Sequence, residues 1–227
     1  MLDAGVCRAD RSMEIDLGGR QAPPWLVHPA LAELLPDGLR RGSAVSVAGS
    51  MSLVLAVLGG PSSTGAWCAL VGLPPVGAEA AVEYGVELSR LPVIAEPGPR
   101  WAALVGALLD TMDVVVARPP ARLVAGDVRR LAARARSRDA VLVAYLDSAA
   151  DCAWPAADLR LGARESAWEG AVGGSGRLRG RRLTVTALGR GKAARPRTVG
   201  LWLPAPEGGV EAVEVARSAV LPLRGAG

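Results

Sequence analysis

The sequence contains no phenylalanine, a single lysine (Lys192) and a single histidine (His28). A single histidine makes a histidine-centred catalytic triad or a histidine-ligated zinc site an unfavoured interpretation. The three cysteines, Cys7, Cys68 and Cys152, are far apart and match no metal-ligand spacing, which favours a reduced, cytoplasmic chain. No run approaches the roughly 20 apolar residues that span a bilayer, and the N-terminus lacks the apolar stretch of a secretory signal. We therefore expect a cytoplasmic protein with no membrane partner.

Half of the 227 residues are hydrophobic, which is enough to build one α/β domain. The net charge is only +4, but its distribution is uneven. A basic strip, residues 177–197, contains no Asp or Glu and carries Arg177, Arg179, Arg181, Arg182, Arg190, Lys192, Arg195 and Arg197. These side chains either protect an edge strand from aggregation or form a nucleic-acid-binding surface.

Strand and helix patterns alternate between residues 43 and 146. Strands are predicted at 43–48, 67–71, 91–95, 113–117 and 140–146, and helices at 51–58, 76–88, 100–112 and 127–138. The strands are continuous apolar runs, which predicts a mostly parallel sheet with helices on both faces. The last helix carries five arginines that we interpret as a solvated face: Arg129, Arg130, Arg134, Arg136 and Arg138.

The pattern changes after residue 150. Residues 158–163 and 182–188 alternate as strands do, and 182–188 is expected to pair with 197–203 as a C-terminal antiparallel hairpin. Three segments are predicted: a flexible N-terminal arm at 1–24, a core domain at 25–203 and a C-terminal tail at 204–227. Apolar residues at the start of the core and in the tail either fold back or dock on a partner.

Residues 45–58 have the context of a phosphate-binding loop, namely a strand, a glycine turn and an apolar helix. Such a loop needs several glycines and a lysine followed by Ser or Thr. Here Gly49 is the one glycine, Ser50 stands where the lysine would be, and Ser52 is the nearest hydroxyl for a metal. We therefore predict a degenerate P-loop at these three residues, with no nucleotide cofactor, no metal and no catalytic residue.

Five segments together resemble a known family. They are 35–42 (Leu-Pro-Asp-Gly-Leu-Arg-Arg-Gly), 83–91, 113–117, 189–192 and 198–203. Their order and spacing over residues 30–203 resemble the core of RecA-type recombinases. More narrowly, the chain is similar to the shortened RecA-like accessory proteins of the ImuA type, which belong to bacterial mutasomes.

The resemblance implies four losses of ATP chemistry. Ser50 stands in place of the phosphate-binding lysine, and Arg118 in place of an acidic residue that helps to hold the metal. Pro74 lies near the place of a catalytic glutamate, and Asp147 near that of an amide that senses the γ-phosphate. Phosphoryl transfer depends on these groups, so we expect no ATP hydrolysis.

The resemblance also implies a function, that of a non-catalytic adaptor in damage-induced translesion synthesis. Its expected partners are a Y-family polymerase homologue of the ImuB type and an error-prone replicative-type polymerase. Recombinase loops near the basic strip contact single-stranded DNA, so DNA is a further expected ligand. Two alternatives stay open: an ATP-dependent recombinase or repair ATPase, and an SOS-type inhibitor of cell division that binds a tubulin-like protein.

Overall fold

A computed structural model describes residues 22–148, 154–172, 175–190 and 195–213, which form a mixed sheet with helices on both faces. A 3-10 helix at Pro29–Leu31 precedes the sheet, and a second one at Leu88–Arg90 follows α2. The other elements are β1 (Ala44–Ala48), α1 (Met51–Ser63), β2 (Cys68–Val71), α2 (Ala78–Glu83), β3 (Val93–Ile94), α3 (Trp101–Leu109), β4 (Val114–Ala117), α4 (Ala125–Ser137), β5 (Val141–Leu146), β6 (Leu159–Val172), β7 (Ser175–Gly189), β8 (Arg197–Trp202) and β9 (Glu211–Val213).

The strand order is β3-β2-β4-β5-β1-β6-β7-β8-β9. The six strands from β3 to β6 are parallel, and β7, β8 and β9 continue the sheet in antiparallel fashion. The predicted parallel sheet with an antiparallel C-terminal hairpin is confirmed. Continuous apolar runs form its centre because β1, β2 and β4 are buried along their whole length.

Two apolar cores cover the two faces of the sheet. The first core packs α1 and α2 against one face and includes Val45 of β1 and Leu183 of β7. The second packs α3 and α4 against the other face, around Val115 and Leu142. Nine of the thirteen residues of α1 are buried, because this helix crosses the middle of the sheet. Trp101, at the start of α3, belongs to the second core.

Three predicted elements differ in length from those observed. The helix predicted at 76–88 is only Ala78–Glu83, because Gly85 has a φ of 81°, a left-handed conformation that ends the helix. The helix predicted at 51–58 continues to Ser63. The tail predicted from residue 204 starts too early, because β9 pairs with β8 and extends the sheet. Residues 1–21 of the predicted arm and 214–227 of the predicted tail lie outside the described residues.

The C-terminal strands β6 and β7 are much longer than predicted. Only 159–162 of β6 pair with β1, and 182–187 of β7 pair with β8. The remainder, residues 164–172 and 175–181, forms a two-stranded hairpin arm beyond the carboxyl end of β1, about 25 Å long. No helix in the ranges that the structure covers has the length and hydrophobicity needed to cross a bilayer.

Candidate functional site

The connection between β1 and α1 is a turn of two residues, Gly49 and Ser50. Ser50 is the N-cap of α1, and its Oγ accepts a hydrogen bond from the Leu53 N–H at 3.2 Å. The side chain is buried, so this hydroxyl is used inside the protein. A phosphate-binding loop instead turns several free backbone N–H groups towards a concave space. At the position where a degenerate P-loop was predicted, the chain has a short helix cap whose hydroxyl is used by the Leu53 N–H.

The beginning of α1 lies beside Tyr84, the C-cap of α2, and the Arg181 guanidinium at the base of the hairpin arm is near the same tyrosine. Ser52 is half-buried, and its hydroxyl lies close to that of Tyr84. Burial raises the pKa of Tyr84 to about 12, and the Ser52 hydroxyl and the Arg181 guanidinium oppose that rise. Tyr84 is therefore protonated at neutral pH. Ser52 on α1 is therefore adjacent to Tyr84 at the end of α2.

The carboxyl ends of β4 and β5 carry opposite charges that meet. The Arg118 guanidinium donates to a carboxylate oxygen of Asp147 at 2.5 Å. The pair lies in an open cleft of about 800 Å³ that also includes Trp101 and Tyr145. At the position where the resemblance implies a metal-binding carboxylate, the cleft thus contains Arg118, which is paired with Asp147. Among the described residues, no group of three or more His, Cys, Asp or Glu side chains could hold a metal ion.

The basic strip is divided between the two ends of β7. Arg177, Arg179, Arg181 and Arg182 lie in the hairpin arm and at its base; we name them the arm group. Arg190, Arg195 and Arg197 lie at the opposite edge of the sheet and form the base group. Seven residues of extended strand separate Arg182 from Arg190, a distance of about 26 Å. Lys192 lies outside the described residues.

The arm group is combined with an exposed aromatic side chain. Trp168 of β6 pairs directly with Arg181 of β7, and the guanidinium carbon is 5.7 Å from the centre of the indole ring. The Arg181 Nε also donates to the Ser166 Oγ at 2.8 Å. Trp168 is 48% exposed, and Arg177 and Arg179 are exposed as well. Cations beside an exposed ring are the features that bind single-stranded nucleic acid by phosphate contact and base stacking.

The sequence interpretation missed Trp168 as part of this surface. The strip itself contains no aromatic residue, and Trp168 precedes it by nine positions. The antiparallel register brings the two together, because residues 168 and 181 are opposite each other. The glycines at 173, 174 and 176 were the signal that could have predicted such a hairpin turn.

The base group borders a different cleft, of about 450 Å³, between the segment 34–40 and the start of β6. Arg190 and Arg197 line it, and the Arg197 Nε is buried without a hydrogen-bond partner among the described residues. Asp158 accepts a hydrogen bond from the Ala44 N–H at 3.0 Å and lies 3.8 Å from the Arg40 guanidinium. The predicted single strip thus comprises two separate basic groups at opposite edges.

The fold and this site define an α/β protein with a parallel core, a two-residue turn between β1 and α1, and a projecting basic hairpin. Residues 33–156, more than half of the chain, match the family described as the MT3502 N-terminal domain. The chain is also similar to Uncharacterized protein Rv3395c of Mycobacterium tuberculosis (strain ATCC 25618 / H37Rv), with 34% identity over 169 residues. That alignment covers 70% of this chain and 80% of the relative. The chain belongs to the MT3502 N-terminal domain family.

Proposed function

We propose that this chain is a non-catalytic, RecA-like adaptor in DNA-damage-induced translesion synthesis. In the cytoplasm it binds a Y-family polymerase homologue of the ImuB type and an error-prone replicative-type polymerase. The hairpin arm adds a weak, sequence-independent contact with single-stranded DNA. The observation that carries the proposal is the Gly49–Ser50 turn, in which the nucleotide-binding position of an α/β sheet is occupied by a helix cap.

The carboxyl edge of the sheet supports the non-catalytic part of the proposal. Ligands of open α/β sheets bind in the crevice outside the carboxyl ends of the strands. In this chain Ser50 is used by Leu53, and Arg118 by Asp147. Among the described residues of this edge there is no lysine to neutralise a triphosphate, and the one carboxylate that lines the cleft besides Asp147 is Glu96, just beyond β3. The order of strands and helices supports the RecA-like assignment, because the elements occur in the sequence that the resemblance implies.

The hairpin arm supports the DNA contact. Arg177 and Arg179 are exposed on a projecting element, and Trp168 offers a ring face next to Arg181. Binding to phosphates releases counterions, so affinity for single strands falls with salt by a slope of about 0.7 per contact. Replacing Arg177 and Arg179 by alanine is expected to lower that slope by about 1.4. The matched variant R190A/R195A removes the same charge from the opposite edge and is expected to leave the slope unchanged.

Nucleotide-dependent stabilisation tests the non-catalytic part. A ligand at 100 times its dissociation constant adds about 2.7 kcal/mol of stability, which raises the melting temperature of a chain of this size by about 5–10 °C. We expect no shift with ATP and magnesium. A magnesium-dependent increase would favour the recombinase or ATPase alternative and reject the adaptor role as stated.

A pull-down from DNA-damaged cells tests the partner. We expect the wild-type chain and the R177A/R179A variant both to recover a polymerase from nuclease-treated extract. Loss of the polymerase on nuclease treatment would mean that DNA bridges the two proteins. Recovery of a tubulin-like division protein in place of a polymerase would favour the cell-division inhibitor.

A further inference from the structure

The arginines of α4 fall into two sets that the sequence does not distinguish. Arg130 pairs with Asp127, one turn earlier on the same helix. Arg134 and Arg138 both pair with Asp110, which follows α3; their Nε atoms lie 2.9 Å and 3.0 Å from its carboxylate. This face of α4 is therefore neutralised by acidic residues of the protein itself.

The other set, Arg129 and Arg136, has neither a hydrogen bond nor an ion pair within the described residues. The two side chains are exposed and flank a groove of about 420 Å³ between α4 and the segment 154–157. Arg190 of the base group also borders this groove and donates to the Pro155 carbonyl oxygen at 2.6 Å. The described lining thus contains three cations and no acidic residue. We name it the α4 groove.

Small apolar residues make up the rest of the lining. They are Ala125, Val128, Ala132, Pro155 and Ala156. On α4 they share one face with the unpaired arginines, because positions 125, 128, 129, 132 and 136 recur at helical spacing. Short side chains permit the close approach of another backbone, and the apolar surface accepts aliphatic side chains.

We infer that the α4 groove binds an acidic amphipathic helix of a protein partner. Its aliphatic side chains pack on the alanines, and its carboxylates pair with Arg129, Arg136 and Arg190. Charge complementarity selects this occupant, because an unpaired cationic rim around an apolar floor matches alternating acidic and aliphatic faces. A nucleic-acid backbone would leave the apolar floor unused, and none of the described lining residues is an aromatic on which a base could stack. The inference rests on the proposed adaptor function and names the surface that serves it.

The groove and the hairpin arm are separate surfaces. Arg190 follows the end of β7 that is remote from the arm, about 26 Å from Arg182. Binding of a partner helix in the groove therefore leaves the arm group free. The two surfaces are expected to respond independently to substitution.

Fluorescence anisotropy with a labelled synthetic peptide tests the inference. The probe is three copies of the unit Leu-Glu-Glu-Ala-Leu-Ala-Glu, with a Gln-for-Glu version as the neutral control. The test variant is R129A/R136A. The matched control is R100A/R130A, which removes the same charge outside the α4 groove. Arg130 lies on the side of α4 that faces α3, and Arg100 is the N-cap of α3. We expect R129A/R136A to weaken binding of the acidic peptide about tenfold and the control to change it less than twofold.

Three results would overturn the inference: no binding of the acidic peptide to the wild-type chain at millimolar concentration, equal loss in both variants, or equal affinity for the Gln version. Circular dichroism of each variant establishes that it is folded. The pull-down separates this inference from the proposed function. If R129A/R136A recovers the polymerase as well as wild type does, the groove is refuted and the adaptor role stands. If the wild type binds the peptide selectively but recovers no polymerase, the adaptor role fails and the groove stands.

Discussion

Replacing Ser50 by alanine tests how the beginning of α1 is satisfied. The Ser50 Oγ accepts the Leu53 N–H at 3.2 Å, and the residue is only 3% exposed, so water cannot easily take its place. Loss of an N-cap hydroxyl costs about 1 kcal/mol, within a range of roughly 0.5–2 kcal/mol. We expect the upper half of that range, because the Leu53 N–H would be left buried without an acceptor.

Urea unfolding followed by circular dichroism measures this loss as a change in the free energy of unfolding. In thermal unfolding, each 1 kcal/mol corresponds to a fall of roughly 2–4 °C in melting temperature. Ser63→Ala is the matched control, because this serine lies at the exposed end of the same helix and donates to the Gly60 carbonyl. It is expected to change stability by less than about 0.5 kcal/mol. Ser50→Asp keeps an acceptor but places a charge at a site that is 3% exposed, so it is expected to lower stability as well. Equal stability of Ser50→Ala and Ser63→Ala would show that the hydroxyl is no cap and would leave it available to a ligand.

Three further substitutions test other parts of the structure. A Cβ atom on Gly59 would lie 2.0 Å from the Tyr84 carbonyl oxygen, so Gly59→Ala should lower the free energy of unfolding by about 2 kcal/mol. Gly77→Ala meets its nearest atom at 3.9 Å and should be neutral; similar losses for both would refute the packing argument. Burial raises the pKa of Cys68 from 9.0 to about 12. The unfolded chain therefore loses this proton first, stability falls as pH rises from about 9 to 12, and Cys68→Ala should flatten that fall in urea titrations. Arg118→Ala removes half of an exposed ion pair and should change stability by less than about 1 kcal/mol in the same assay; a larger loss would make the pair structural.

The parallel core was predictable because its strands are buried on both faces. Such strands appear as unbroken apolar runs, so 113–117 and 140–146 correspond to β4 and β5 within one residue at their ends. The predicted length of the helix at 76–88 was wrong, because the left-handed conformation of Gly85 ends the helix despite the helical spacing of apolar residues around it. The length of the arm strands was also predicted wrongly, because their sequence lacks a periodic pattern. Trp168 and Glu169 are both exposed, so that part of β6 has no alternating burial pattern for the sequence to display.

The candidate surfaces were less predictable than the core, because they depend on pairing between distant positions. The strip at 177–197 is continuous in sequence, but an extended β7 places Arg181 and Arg190 at different edges. The register of β6 and β7 adds Trp168 to one of them. On α4, Asp110 neutralises two arginines from 24 and 28 positions away, and no local pattern specifies that choice.

Polar groups with and without internal partners indicate where this protein binds other molecules. A buried polar group costs free energy unless a hydrogen-bond partner satisfies it. At the carboxyl edge Leu53 uses Ser50 and Asp147 uses Arg118, whereas the Tyr84 hydroxyl and the Trp101 Nε1 are buried without a hydrogen-bond partner among the described residues. Arg129 and Arg136 are exposed beside an apolar groove and have no acidic partner within the described residues. Binding of a protein partner is therefore expected at the unpaired cations on the periphery, where the partner replaces water.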